Sequence, residues 1–448
     1  MYHNDVYNFN DLPKSYWFAQ DNNYGEFSNL ETISQNEEFD VLIVGAGYTG
    51  LSCAINLSDK YNLKICIVDA GIIGWGASTR NAGFCCIPPT KLTINQLMKR
   101  YGKEETISFF KNCIEGTNYT KSLIDKYSIS CDISGNQNYV LAHTESKFDK
   151  LIKESEIYNK LFGIESEIFN KEQFNKIGHS GKEQFGALSY KPGFALNPLK
   201  FYLGLLKAAL KNKVNIFHKT KITSVTKKSN FYIAKANNKK IKTKKIVIAT
   251  NGFYQDGLIK QIDSRILPII SNIIVTKPLS NKELSLHNFK TFSPIVNTRN
   301  LLYYYRKLPD NRILFGARGD TDGSDKSHKA ISKIIERDFK YIFPEWGNIK
   351  IDFTWRGLVA FTSKLAPSIG KIKDENIFYS FGYHANGVSS APWSGMQLSK
   401  IIYGSNFGNM NISKVYKGLP KKIPVSSLRK IYLKFVYFAY QIKDYFKL

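Results

Sequence analysis

The sequence predicts an α/β protein: a parallel sheet assembled from separated stretches of chain, with an α+β unit on an antiparallel or mixed sheet inserted between them. Three stretches carry the prediction. Residues 39 to 70, FDVLIVGAGYTGLSCAINLSDKYNLKICIVDA, read as strand, helix and strand around a glycine turn. Lys245 to Gly252, KIVIATNG, is a second apolar strand that stops on glycine, far enough downstream for another unit to lie between. Ile377 to Phe381 is a third, and a glycine turn and an amphipathic helix follow it too.

The first stretch is the most informative. Val41 to Val44 is uninterrupted apolar, as a parallel strand covered on both faces requires. Gly45, Gly47 and Gly50, with Ala46 inside the turn, have the GxGxxG spacing. The first glycine permits the tight turn, the second leaves room for a pyrophosphate against the backbone, and the third lets helix and strand pack closely. The helix then points its free N–H groups and positive dipole end at an anion. The next strand, Lys64 to Val68, ends at Asp69 and Ala70. About 20 residues past the glycines, a carboxylate there accepts hydrogen bonds from an adenosine ribose and disfavours a 2′-phosphate. Strand before, helix after and acid at that distance make this a Rossmann-like dinucleotide site.

With 448 residues, 43% of them hydrophobic, the chain can bury two or three domain-sized cores. No apolar run reaches the roughly 18 residues of a membrane span. The first residues, MYHNDVYNFNDLPKSYWFAQ, lack the basic and apolar regions of a secretory signal, so a cytoplasmic protein is expected. Six cysteines, at 53, 66, 85, 86, 113 and 131, show no metal-ligand spacing, and no metal site is expected. The net charge of +26 invites a nucleic-acid partner, yet only ten of the 63 basic residues are arginine, whose planar fork suits phosphate recognition. Lysine spread through the chain beside abundant asparagine and isoleucine points to coding bias instead, and no nucleic-acid partner is expected. A basic surface still attracts anionic substrates or lipid.

Taken in order, residues 1–37 read as an extension anchored by Tyr16 and Trp17. The nucleotide domain is expected from 38–100, 185–262 and 350–410, and the inserted substrate domain from 101–184 and 263–349. After Asp69 comes GIIGWGASTRNAGF, a glycine-rich loop able to approach a ligand closely. Helical spacing covers 103–127, 147–162 and 326–343. Pro198 to Lys211 is a further helix, with Asn197 as its cap. Arg265–Lys277 and Leu301–Arg318 are β-rich and carry tyrosine and arginine, the composition of a substrate-facing antiparallel sheet.

After the third strand stands GYHANGVSSAPWSGMQLSKII. Gly382 and Gly387 punctuate a turn, Ser389 or Ser390 is expected to cap, and Pro392 is expected in the first helical turn. A second helix N-terminus presented by the same sheet suits negative charge on the pyrimidine part of a reduced flavin.

Together VLIVGAGYTGLS, GWGASTRNAG, IVIATNG, LLYYYR with ILFGAR, TWRGLVAFTSKLAPSIG and GYHANGV resemble the FAD-dependent amine and amino-acid oxidases of D-amino-acid-oxidase type, over roughly residues 38 to 403. The gamma-glutamylputrescine oxidase-like branch, related to glycine and sarcosine oxidases, is the nearest in pattern. The resemblance implies that Gly45, Ala46, Gly47, Gly50, Asp69 and Ala70 bind the ADP half of FAD. Ser78, Arg80, Asn81, Ala82 and Gly83 would pass along pyrophosphate and flavin, and Val225, Thr250, Asn251, Gly252, Gly382, His384, Gly387, Val388 and Ser389 would complete the site. Asn81-Ala82 stands where some relatives carry a flavin-linked histidine, so the FAD is expected to be non-covalent.

The implied reaction is oxidation of a C–N bond by hydride transfer to the flavin, followed by hydrolysis of the imine. Tyr304, Arg306, Trp355, Arg356, Tyr383 and His384 are the pocket candidates: aromatic faces hold amines and an arginine forks onto a carboxylate. Oxygen or a quinone would take the electrons. Two rivals stay open, a flavin enzyme acting on a modified tRNA base and a flavin protein without turnover.

Lys414 to Leu448 carries nine basic residues against one acidic. From Leu428 the positions Leu428, Ile431, Tyr432, Phe435, Val436, Ala439, Ile442 and Phe446 form one apolar stripe at helical spacing. Either the stripe straps the helix to the protein, or it lies in a membrane interface as a basic amphipathic helix does.

Overall fold

The computed structural model describes residues 1–446. The first motif folds as β1 (Glu37–Val44), α1 (Tyr48–Ser58) and β2 (Ile65–Val68). Next come α2 (Lys103–Lys126), β3 (Asn138–Leu141), β4 (Gly186–Tyr190), α3 (Pro198–Lys211), β5 (Asn215–Phe217) and β6 (Lys239–Ile248). The second half contributes β7 (Leu267–Thr276), β8 (Tyr304–Lys307), β9 (Ile313–Arg318), α4 (Asp325–Ile342), β10 (Ile351–Phe361), β11 (Ile377–Phe381), α5 (Gly387–Tyr403) and α6 (Arg429–Tyr445).

The three glycine-terminated strands meet in one sheet ordered β11, β6, β1, β2, β5, all parallel, with Ser368–Lys371 antiparallel at the β11 edge. Val44 lies opposite both Ile248 and Val68, and Ile248 opposite Tyr379, so the carboxyl ends of these strands line up. That shared edge is where an open parallel sheet binds its ligand. Val41, Leu42 and Ile43 are completely buried, as the uninterrupted apolar run requires. Helix α1 covers one face and α5 packs on it so closely that a Cβ at Gly395 would stand 2.4 Å from the Thr49 carbonyl oxygen.

The second sheet runs β10, β7, β9, β8, Ile295–Asn297, β3, β4, Ser166–Asn170, antiparallel except where Ile295–Asn297 meets β3. Behind it, α4 closes an aromatic core containing Phe315, Phe339, Phe343 and Trp346. Sheet membership moves the expected boundaries. Both β4 and β10 belong to this second sheet, although 185–262 and 350–410 read as nucleotide domain. β10 pairs with β7 from Phe361 to Ile351, and that long antiparallel ladder outweighs its closeness in sequence to β11. Helix α2, assigned by sequence to the substrate domain, packs on α5: Thr120 Oγ1 donates to the Val388 carbonyl at 3.1 Å. Pro392, four residues on, has no N–H to offer that carbonyl, so the threonine of a neighbouring helix satisfies it.

The N-terminal extension is anchored through Tyr16 and Trp17, both buried. Trp17 is 1% exposed and its indole N–H donates to the Asn81 carbonyl at 3.0 Å, so the extension braces the glycine-rich loop. No helix among the described residues is long and apolar enough to cross a membrane.

Candidate active site

A cavity of about 1200 Å³ opens along the carboxyl edge of the parallel sheet and continues under the second sheet. Gly45, Ala46 and Gly47 form its floor where β1 turns into α1. Gly45 has φ +110°, and a Cβ there would lie 2.8 Å from the Ala249 carbonyl oxygen. Gly50 does not line the cavity; a Cβ on it would fall 2.0 Å from the Gly45 carbonyl oxygen, which is the close helix–strand contact the third glycine allows. Gly47 differs: its φ is −80°, and a Cβ would meet only the Ser78 hydroxyl, at 3.0 Å. The space that glycine leaves open is thus not filled by the protein. Ser78 Oγ accepts the Tyr48 N–H at 3.0 Å, so the glycine-rich loop delivers a hydroxyl to the first turn of α1.

Asp69 accepts the Ala46 N–H at 2.9 Å and the Gly71 N–H at 3.0 Å. Burial pushes its carboxyl above the ordinary range, while the two N–H bonds pull the other way. Its carboxylate and Ala70 line the cavity, and an ionised carboxylate retains acceptor sites for ribose hydroxyls. The strand segment that completes this end is Thr220 to Thr223 rather than Val225, which pairs with Ala234 and packs on the sheet core.

Arg80, Asn81 and Ala82 line the middle of the cavity. Arg80 lies over the Trp75 ring and donates to the carbonyls of Trp75 and Arg356; burial pushes its pKa down to about 9. Gly83 sits behind the wall at φ +76°, and a Cβ there would collide with the Leu196 carbonyl oxygen, so this turn also demands glycine. Thr250 and Asn251 line the cavity after β6, Gly252 lies behind them, and Asn251 Oδ1 accepts the Gly382 N–H at 2.9 Å. Thr250 Oγ1 is buried with no partner among the described residues.

The second helix N-terminus faces the same cavity through His384, Gly387 and Val388. Neither serine caps it: Ser389 donates to the Cys86 carbonyl at 2.7 Å, and Ser390 to the Asn386 carbonyl. Asn386 is the residue at the cap position, and its amide turns to Pro88 instead. Pro392 lies inside the helix, not in its first turn. The uncapped turn leaves backbone donors facing the cavity, an arrangement suited to an anionic ring edge. His384 has φ +47°, its Nε2 lies 3.4 Å from Thr362 Oγ1, and its Nδ1 is buried without a partner among the described residues. Burial, with the Lys91 charge nearby, pushes its pKa down to about 3, so the ring is neutral at pH 7. Tyr383 also lines the cavity, but its hydroxyl is committed to Thr49 at 2.6 Å and Ser380 at 2.9 Å, tying the two helix N-termini together.

On the substrate side the sequence candidates divide. Tyr304 faces the cavity across Gly316, with its hydroxyl on Ser271 at 2.7 Å. Arg306, Trp355 and Arg356 do not line it. Arg306 is 1% exposed and donates to the Leu196 carbonyl at 2.8 Å beneath the Trp17 ring. Trp355 donates to the Arg80 carbonyl, and Arg356 is held by the Ser324 carbonyl and by Asp325 at 2.9 Å. Each of the three props a loop. Charged residues that line it without having been singled out from sequence include Lys91, Glu154, Arg318 and Arg299, the last of these paired with Glu183. Arg318 ends β9 two residues from Gly316, so strand alternation puts it on the side of Tyr304. That signal was readable only with the face of β9 known.

Two helix N-termini at one sheet edge, an uncrowded second glycine, a ribose-ready carboxylate, and Thr250 Oγ1 and His384 Nδ1, unpartnered among the described residues, fit a dinucleotide whose ring would lie by the second helix. The family model for FAD dependent oxidoreductase (DAO) matches residues 40–401, and the chain belongs to that family. Its cofactor is FAD. A probable oxidoreductase, OrdL, of Haemophilus influenzae is 29% identical over 94% of this chain and 97% of its own. Gamma-glutamylputrescine oxidoreductase of Escherichia coli is 26% identical over 87% of this chain and 89% of its own. Among solved structures, glycine oxidase from Geobacillus kaustophilus superposes with a TM-score of 0.68 at 16% identity, covering 83% of this chain and 96% of its own, a likeness of fold.

Proposed function

We propose that this flavoenzyme oxidises a C–N bond of a small amine that also carries a carboxylate, as in an amino acid or a gamma-glutamyl amine. The observation that supports this reading is the cavity wall beyond the cofactor loops. Arg318 stands on it with its side chain making no hydrogen bond or ion pair to a described residue and its guanidinium 5.0 Å from the Tyr437 ring centre. A guanidinium stacked on one face and otherwise free is ready to fork onto a carboxylate. Glu154, from the helix Glu145–Ile157, faces the cavity beside Tyr158 and Tyr190, and burial pushes its carboxyl above the ordinary range. A carboxylate so placed takes a proton from the substrate ammonium, leaving the neutral amine that oxidation needs.

Bound FAD supplies the hydride acceptor. Around it the chain's own residues divide the work. The first helix and Ser78 would hold the pyrophosphate, Asp69 the ribose, and Thr250, His384 and the α5 N-terminus the ring. Asn81-Ala82 offers no histidine for a covalent link at that point of the loop, and the flavin would be held by contacts. Relatives whose names specify gamma-glutamylputrescine, glycine and sarcosine point to the same bond class. Electrons then pass to oxygen or a quinone.

Arg318→Met tests the assignment. KM for amines bearing a carboxylate should rise roughly tenfold to a hundredfold, the loss of one charge-assisted pair, with simple amines little changed. Arg306→Met and Arg356→Met should not discriminate between the two substrate types. Equal effects of Arg318→Met on both types would remove the carboxylate from the proposal.

A further inference from the structure

The C-terminal helix α6 has three faces. Its inner face holds it to the protein: Leu433 is 1% exposed, and Asp444 accepts the Asn300 and Leu301 N–H groups at 2.8 and 2.9 Å. Arg429 pairs with Asp256 and Lys430 with Asp322. The same face walls the cavity through Leu433, Val436, Tyr437 and Tyr440. The apolar stripe read from sequence therefore divides: Tyr432 and Val436 line the cavity, while Ile431, Phe435 and Ile442 are exposed. Ile431, Phe435, Phe438, Ile442 and Tyr445 recur at steps of four and three residues on the opposite side, and Phe435 is 71% and Tyr445 81% exposed. Lys434 and Lys443 fall on the two flanks between these faces.

We propose that this outer face docks the enzyme onto an anionic lipid surface. Five large apolar side chains in water on a single convex helix are costly unless something covers them. Charge selects what does. From Lys414 onward the chain has nine basic residues and one acidic, and that acid, Asp444, is spent on backbone N–H groups. The chain as a whole carries +26. A second copy would bring the same charge against itself, whereas a leaflet containing anionic headgroups receives the apolar stripe and the flanking lysines together. Lysines on the flanks keep their ammonium groups at headgroup level while their stems lie along the helix. Because the inner face of this helix is a wall of the cavity, docking sets that wall at the lipid boundary without changing the contacts that hold it. This proposal does not depend on which amine is oxidised.

The test uses the FAD-bound full chain in sedimentation with phosphatidylglycerol vesicles and with pure phosphatidylcholine vesicles. Full-length protein should pellet with the first at low salt, be released by high salt, and remain largely in solution with the second. Ile431→Gln together with Phe435→Gln, both at exposed helical positions, should keep the flavin spectrum and melting temperature and weaken binding roughly tenfold or more. Lys434→Gln with Lys443→Gln should weaken it at low salt and flatten the salt dependence. Wild-type protein that stays in the supernatant with phosphatidylglycerol overturns the proposal, as does binding untouched by the Ile431/Phe435 pair. A concentration-dependent dimer abolished by that pair would assign the face to a second copy and overturn it equally.

Discussion

Gly47→Val separates cofactor binding from folding. At Gly47 the backbone has φ −80°, which valine adopts freely, and the added Cβ meets only the Ser78 hydroxyl, at 3.0 Å. A few tenths of an ångström of movement by that side chain relieves the contact, so the apoprotein should melt within about 1 kcal/mol of wild type. The two further methyl groups then occupy the space against which a pyrophosphate would lie. Losing one or two backbone or hydroxyl hydrogen bonds to that anion costs about 1.5 to 3 kcal/mol each, so FAD affinity should fall at least tenfold for one and beyond a hundredfold for two. Gly50→Val supplies the contrast. Its Cβ would stand 2.0 Å from a backbone oxygen that cannot move without parting α1 from β1, and that variant should lose the fold itself. Flavin retained through gel filtration, together with apoprotein melting curves, reads both effects. Normal FAD retention by Gly47→Val would refute the site geometry.

Two further outcomes follow from buried ionisable groups. Wild type should slow as pH drops through the raised pKa of the Glu154 carboxyl, and Glu154→Gln should lower kcat/KM and remove that fall; an unchanged pH–rate profile would take the proton-accepting role from it. His179 accepts the Gly181 N–H at Nδ1 and lies 2.9 Å from the Tyr305 hydroxyl at Nε2, and burial pushes its pKa down to about 3, as it does for His384. Both rings fold neutral and protonate readily only when unfolded, so the stability they contribute is complete above about pH 6.5 and is lost towards pH 3, by roughly 1.4 kcal/mol per pH unit for each. Urea titrations should show that slope, and His179→Gln should reduce it; a flat profile from neutral to mildly acidic pH would contradict the buried neutral state.

The nucleotide half of the site was legible because its requirements are local. Gly45 and Gly50 are dictated by backbone contacts within one strand, turn and helix, and Asp69 by the length of one crossover. The substrate half was not, because an arginine on a strand says nothing of which face it occupies until the sheet is paired. Arg306 and Arg318 lie in successive strands of the same hairpin, yet one is buried under Trp17 and the other faces the cavity. The tail shows the same limit. Its strongest apolar stripe was visible, but the sparser set of Leu433, Tyr437 and Asp444 does the packing, because the Asp444 carboxylate accepts the Asn300 and Leu301 N–H groups of a loop distant in sequence. The missed caps at Ser389 and Ser390 have a related cause: both hydroxyls found carbonyl acceptors, one of them on the cofactor loop.

Anaerobic reduction of the bound flavin tests the central claim most directly. Holoenzyme mixed with single amines, matched in length and differing only in the presence of a carboxylate, should bleach fastest with those that carry it. Each bleached flavin should release one equivalent of carbonyl product and one of ammonia or the corresponding amine. Admission of air, or of a quinone, should restore the yellow spectrum. A flavin that stays oxidised with every amine, or that bleaches without a carbonyl product, would contradict oxidation of a C–N bond at this site.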